Sequence, residues 1–174
     1  MKPTQIKSVL LEALTASGKI LRETLSERRV VEKKSELSLV TASDKASEKT
    51  ILAILRKAFP GHSILTEESP PIGSSDSRWI IDPLDGTTNF AHTFPVACVS
   101  IAFEEKGVIE AGGVFDPFRE ELFFAARGSG ASLNGRPIRV SPNRKLSDSL
   151  LATGFPYDRR EKVDDYLKPF KDFM

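Results

Sequence analysis

The chain has 174 residues, 40% hydrophobic and 28% charged, with a formal net charge of +1. Those proportions describe a soluble globular protein long enough to bury a sizeable core, and near-neutral charge gives no electrostatic footing for nucleic acid or a membrane surface as partner. The single cysteine, Cys98, excludes an internal disulfide, and with no leader-like or membrane-length apolar run the expected location is the cytoplasm.

From the N-terminus, Ile6, Leu10, Ala13, Leu14, Ile20, Leu21 and Leu25 recur at helical spacing and predict an amphipathic helix, with Gly18 as its weak point. The polar stretch from Glu27 to Ser38 reads as a mobile connection. Thr41-x-x-Asp44 has the spacing of a capping box and Pro60-Gly61 marks a stop, so a second helix is expected between them, with Ile51, Leu52, Leu55, Ala58 and Phe59 on its apolar face. His62 falls in a "PGHS" turn and reads as a surface or site-flanking residue with no assigned role, as does His92.

Beyond Pro60 the period changes to that of strands. Candidates are Ser63–Thr66, which runs into Glu67-Glu68, then 78–81, 96–103, 108–115, 121–125 and 137–140. Turn signals at 104–107, at 116–120 and at Asn134-Gly135 separate several of them, and short loops between consecutive strands require antiparallel pairing. Cys98 lies within "PVACVSIAF" and reads as a small buried hydrophobe. The expected fold is α+β: two N-terminal helices packed on a largely antiparallel sheet of about six strands. Residues 149–153 are a further strand candidate leading off the sheet. A helix is expected to begin near Arg159, so residues 1–158 form one unit and 159–174 open a second α/β region.

The stretch "WIIDPLDGTTNF", residues 79–90, carries the chemistry. A buried strand ends at Asp82, Pro83 stiffens the backbone, and Asp85 follows. At that spacing a turn can aim both carboxylates and the Leu84 carbonyl at one spot. Two such carboxylates in a poorly solvated corner repel unless one stays protonated or a cation sits between them. The donors are all oxygens and no histidine stands at ligand spacing, which selects a hard ion such as Mg2+. Gly86 allows a ligand to approach the backbone closely, and the N–H groups from Thr87 onward suit a phosphate. The same residues would equally make an Asp-Pro turn with a helix cap. Glu67, at the end of an upstream strand, tips the balance if the two strands are neighbours.

Over a longer span, "WIIDPLDGTTNFAHTFPVACVSIAF" closely resembles the first signature of the inositol monophosphatase family, and "LTEES" and "LVTASDKASE" resemble its two upstream motifs in the same order. The resemblance runs from Leu39 to Asp158 and includes "GASLNGRPIRVS" and "LLATGFPYD". It implies a Mg2+-dependent, lithium-sensitive phosphatase acting on a small phosphate ester, inositol-1-phosphate first among the candidates, and a homodimer. By position it implies that Glu67, Asp82 and the Leu84 carbonyl hold one ion, that Asp85 reaches a second, and that a third, weaker one would use Glu67. Thr87 and Asp44 would polarise the attacking water, the backbone of Gly86, Thr87 and Thr88 would hold the phosphate beside Asp85, and Lys34 would sit on the mobile loop near the site. Fructose-1,6-bisphosphatase and nucleotide 3'-phosphatase relatives share the D-P-x-D-G-T motif.

The resemblance also implies a second half carrying a W-D-x-A-A-G motif, whose aspartate completes the second metal site. Nothing after Asp158 resembles it. Two expectations follow for the 174-residue chain alone: weak turnover, and self-association through uncovered apolar surface. The rival reading is a non-catalytic module that binds Mg2+, phosphate or another protein.

Overall fold

The computed structural model describes residues 3–26, 31–33, 39–155 and 157–173. Helix α1 (Pro3–Thr24) buries Ile6, Val9, Leu10, Ala13, Leu14, Ser17, Gly18 and Leu21, the single face expected from the heptad-like spacing. Gly18 is no weak point but a seat: a Cβ there would collide with the Phe115 ring. One turn earlier on the helix, Leu14 sits over Gly113 of the sheet, where a Cβ would stand 2.6 Å from it. The two glycines let helix and sheet approach closely.

Strands β1 (Val31–Lys33) and β2 (Leu39–Thr41) form a separate antiparallel pair, where the sequence suggested only a connection. Helix α2 (Ala42–Ala58) follows directly. Its buried face is apolar only in its second half: Ser43, Asp44, Ser47 and Glu48 are buried ahead of Ile51 and Leu55. Hydroxyls join the two helices, Thr24 with Ser43 at 2.8 Å and Ser17 with Ser47.

The main sheet has seven strands in the order of the chain: β3 (Ser63–Thr66), β4 (Ser77–Asp85), β5 (Cys98–Glu105), β6 (Val108–Asp116), β7 (Glu121–Ala126), β8 (Gly130–Leu133) and β9 (Arg136–Ile138). Every adjacent pair is antiparallel except β3 with β4, which are parallel. The expected α+β arrangement therefore holds, with one strand more than counted. The extra strand is β8, which Asn134-Gly135 joins to β9 as a hairpin. Residues 150–155 carry no regular structure, so the strand foreseen at 149–153 is absent. The last helix, α4 (Val163–Phe173), starts four residues later than expected, behind a 3-10 turn at Tyr157–Arg160.

Helices α1 and α2 cover one face of the sheet, and the core between them contains Leu10, Leu14, Leu21, Ile51, Leu55, Trp79, Leu84, Phe90, Val99 and Ile101, each essentially solvent-free. His62, foreseen near the surface, instead stacks on Phe59 with ring centroids 4.6 Å apart and accepts the Trp79 indole N–H at Nδ1, 3.0 Å away. That acceptor role requires a neutral ring, and burial does lower its pKa, partly countered by Glu105. The opposite face of the sheet is open, with Ile109, Phe123 and Ile138 at its surface. Among the described residues no helix is long and apolar enough to cross a membrane.

Candidate functional site

Two features of backbone geometry bring the acidic residues together. The first is the parallel pair. Thr66 pairs with Ile81 at the last step of this ladder, so Glu67, the residue that follows β3, leaves the sheet beside Asp82. The second is an irregularity in β4. Asp82 pairs with Ser100 and Asp85 with Cys98, so two residues, Pro83 and Leu84, oppose the single Val99. Residues three apart on a regular strand point to opposite faces, and the extra residue restores Asp85 to the side of Asp82. The Asp82 carboxylate shapes this bulge by accepting the Leu84 N–H at 3.1 Å.

The result is a cleft of about 250 Å³ lined by Glu67, Asp82, Leu84, Asp85, Gly86, Thr87, Thr88 and Asn89. Every site residue expected from the sequence lies on it except Asp44 and Lys34. Asp44 sits just behind, 1% exposed, where it accepts the Thr87 hydroxyl at 3.2 Å. The same hydroxyl lies 3.0 Å from the Leu84 carbonyl, so its proton is shared between two acceptors. Lys34 lies outside the described residues. Two larger grooves, of about 750 and 920 Å³, lie on the open sheet face and beside the start of α1, and neither contains any of these residues.

Burial, then Glu67, then Asp85 push the Asp82 carboxyl up to about 7. No Lys or Arg ion pair relieves Asp82 or Asp85 among the described residues. Cys98 points its Sγ at an Asp85 oxygen 3.8 Å away, and burial with the Asp85 and Asp82 charges holds its thiol up at about 12. It is a protonated neighbour and not a nucleophile, as its apolar context suggested.

Does this donor set suit a metal? Its oxygens are hard and anionic, and the raised Asp82 carboxyl marks negative charge that no ion pair to Asp82 or Asp85 offsets among the described residues. Among the described residues no group of three Asp, Glu, His or Cys side chains is arranged to enclose an ion by itself. Those residues therefore contain no closed structural cage of the zinc type. The open set of oxygens at the cleft suits an ion such as Mg2+, which binds through one or two carboxylates and fills its remaining positions with water and substrate oxygens.

The titration has a testable consequence. Between about pH 4 and 7 the folded chain holds a proton at Asp82 that the unfolded chain, with an ordinary carboxylate, has released. Without divalent ions, stability at this residue therefore falls as pH rises through that window. An ion must displace the proton, so Mg2+-induced stabilisation grows over the same range and levels off above it. The measurement is thermal unfolding at pH 5.5 and 8, with Mg2+ or chelator, for the wild type beside Asp82→Asn. A wild-type minus variant difference that does not change with pH would contradict the assignment.

The sequence reading missed Ser47, Glu48 and Asn89. Ser47 donates to the Pro83 carbonyl at 2.6 Å, and Asn89 donates to the Val96 carbonyl at 2.9 Å, each steadying one side of the β4 turn. Ser47 and Glu48 were detectable in principle, because they extend the Ile51 and Leu55 face one turn upstream through Asp44.

Comparison with known proteins identifies the family. A profile described as Inositol monophosphatase family matches residues 2–172. The Nus factor SuhB of Pseudomonas aeruginosa is 43% identical, over 96% of this chain and 65% of the relative. The inositol-1-monophosphatase of Synechocystis sp. is 44% identical, over 93% of this chain and 58% of the relative. Among solved structures, the extragenic suppressor protein SuhB of Bartonella henselae superposes with a TM-score of 0.93 at 40% identity, covering 97% of this chain and 66% of that one. An IMPase/NADP phosphatase complexed with Mg2+ and phosphate does so with 0.74 at 29% identity, covering 83% and 56%. The chain thus spans roughly three fifths of the length of the curated relatives. With the profile match running almost end to end, the chain belongs to the inositol monophosphatase family.

Proposed function

We propose that this chain supplies the divalent-metal and phosphate site of a phosphomonoesterase acting on inositol-1-phosphate or a related polyol phosphate. The observation that carries the reading is the convergence of Glu67, Asp82 and Asp85 on one small cleft whose opposite lip is Gly86 to Thr88. Glu67, Asp82, Asp85 and the Leu84 carbonyl would hold Mg2+. When bound, the ion offsets phosphate charge and makes water a competent nucleophile near neutral pH.

The chain's own residues do the rest. Asp44 and the Leu84 carbonyl take the Thr87 hydroxyl proton between them, which leaves a lone pair of Thr87 Oγ1 to accept a hydrogen bond from the attacking water and orient it. The first N–H groups of α3 (Thr87–Ala91), which have no partner within so short a helix, receive the phosphate oxygens. No side chain need be phosphorylated.

A second reading has its own support: the Pseudomonas relative is called a Nus factor, and the open sheet face offers surface for another protein. One assay separates the two. Release of inorganic phosphate from a panel of phosphomonoesters, dependent on added Mg2+ and lost with chelator, supports the enzyme. Mg2+ binding with no release from any ester supports the module.

A further inference from the structure

We propose that Glu48 is a positioning residue that sets the Mg2+ affinity of the cleft by fixing the segment that carries Glu67. The inference rests on the metal-site reading above.

Glu48 lies one helical turn beyond Asp44 on the same face of α2 and is 6% exposed. A side-chain carboxyl so buried is costly unless its oxygens are hydrogen-bonded. Glu48 has two such bonds. Its Oε1 accepts the Thr66 hydroxyl at 2.8 Å, and its Oε2 accepts the Ser69 hydroxyl at 2.9 Å. These two residues bracket Glu67 and Glu68. One carboxylate therefore grips both ends of a four-residue arc, at the point where β3 stops and regular strand pairing no longer controls the backbone.

The neighbouring residues of α2 act on the other side of the cleft. Ser47 holds the Pro83 carbonyl at 2.6 Å, and Asp44 holds Thr87 at 3.2 Å. Helix α2 thus fastens the three chain segments that line the cleft: the Glu67 arc, the β4 bulge and the start of α3. Of these three fastenings, Glu48 holds the arc that carries Glu67. Glu48 bonds to Thr66 and Ser69 and does not itself line the cleft. Its effect comes through the order it imposes on Glu67, because an ion that needs near-ideal octahedral geometry loses affinity when a ligand wanders.

The test compares Mg2+ dissociation constants, by calorimetric titration at pH 7.5, for the wild type, Glu48→Ala and Glu48→Gln, each also assessed for folding by circular dichroism and thermal unfolding without metal. Loss of such a supporting partner typically weakens metal binding about 10- to 100-fold, and that is the expected result for Glu48→Ala. Glutamine can keep both contacts, since a hydroxyl can accept from its amide N–H as readily as donate to its carbonyl, so Glu48→Gln should stay within about threefold of the wild type. A Glu48→Ala chain that unfolds more easily yet binds Mg2+ as tightly as the wild type overturns the inference. So does Glu48→Gln binding as weakly as Glu48→Ala, which would make charge the cause. Should Glu48→Ala fail to fold, Ser69→Ala cuts one of the two ties from the loop side, with severalfold weaker binding expected and unchanged binding overturning the proposal. A wild type that binds no Mg2+ removes the metal-site reading itself, and this inference with it.

Discussion

Asp82→Asn is expected to make the metal-free chain more stable while removing its response to Mg2+. Asparagine is nearly isosteric and its Oδ1 can still accept the Leu84 N–H that shapes the bulge, so the turn should survive. What disappears is a charge that burial, Glu67 and Asp85 already disfavour. Relief of that repulsion raises the unfolding temperature in chelator at pH 8. The same change removes the carboxylate at the centre of the donor set. Mg2+ affinity and Mg2+-dependent phosphate release should each fall by at least about 100-fold, more than the loss of a mere supporting group. The opposite signs make the result hard to mimic, since a general folding defect lowers both. Thermal unfolding with and without Mg2+, together with the phosphate assay, gives the answer. A variant that is less stable in chelator and still stabilised by Mg2+ would refute the electrostatic account of the site.

Gly86→Ala is expected to damage the site by a different route. Gly86 has φ of 94°, a left-handed conformation that a side chain disfavours by about 1–2 kcal/mol. The new Cβ would also stand 2.8 Å from the Val96 carbonyl oxygen and 3.2 Å from the Ala97 Cα. Both are backbone or close to it, so the strain cannot be released by a rotamer change. Gly107, in the β5–β6 turn, has φ of 77° and nothing within 4 Å of a built Cβ, so Gly107→Ala carries the conformational cost alone. In chemical denaturation Gly86→Ala should lose about 1–3 kcal/mol more than Gly107→Ala, the range expected for overpacking. Phosphate binding should be lost in the first variant and kept in the second. Equal destabilisation by the two would mean that the chain at Gly86 has room to move, and that its tight fit against Val96 is not what holds the phosphate lip.

What the sequence revealed, and what it hid, follows from how local each cause is. The two helices and most of the strands come from periodicity within ten to twenty residues, and the oxygen-only cluster came from a motif in one short run. The convergence of Glu67 with Asp82 depended on whether two strands are neighbours, which no local pattern decides. The bulge was hidden for a sharper reason: on a regular strand Asp82 and Asp85 would diverge, and only a count of pairings with β5 shows the extra residue. Ser47 and Glu48 escaped notice because polar residues on a helix usually face water. His62 was misread because a Pro-Gly turn suggests the surface, whereas its ring is drawn under Phe59 by Trp79. The apolar run at 149–153 has the composition of a strand, but composition cannot provide a neighbour to bond with, and among the described residues it has none.

The lone parallel pair also bears on the order in which the chain assembles. From β5 to β9 each strand returns beside its predecessor through a turn of two to four residues, so that part can zip up from short-range hairpins. Strand β4 joins that ribbon only through the longer connections 67–76 to β3 and 86–97 to β5, and each of these closures is entropically dearer than a tight turn. The strand that carries Asp82 and Asp85 would then dock on a ribbon already formed by β5 to β9, and the three charges would be brought together late in folding.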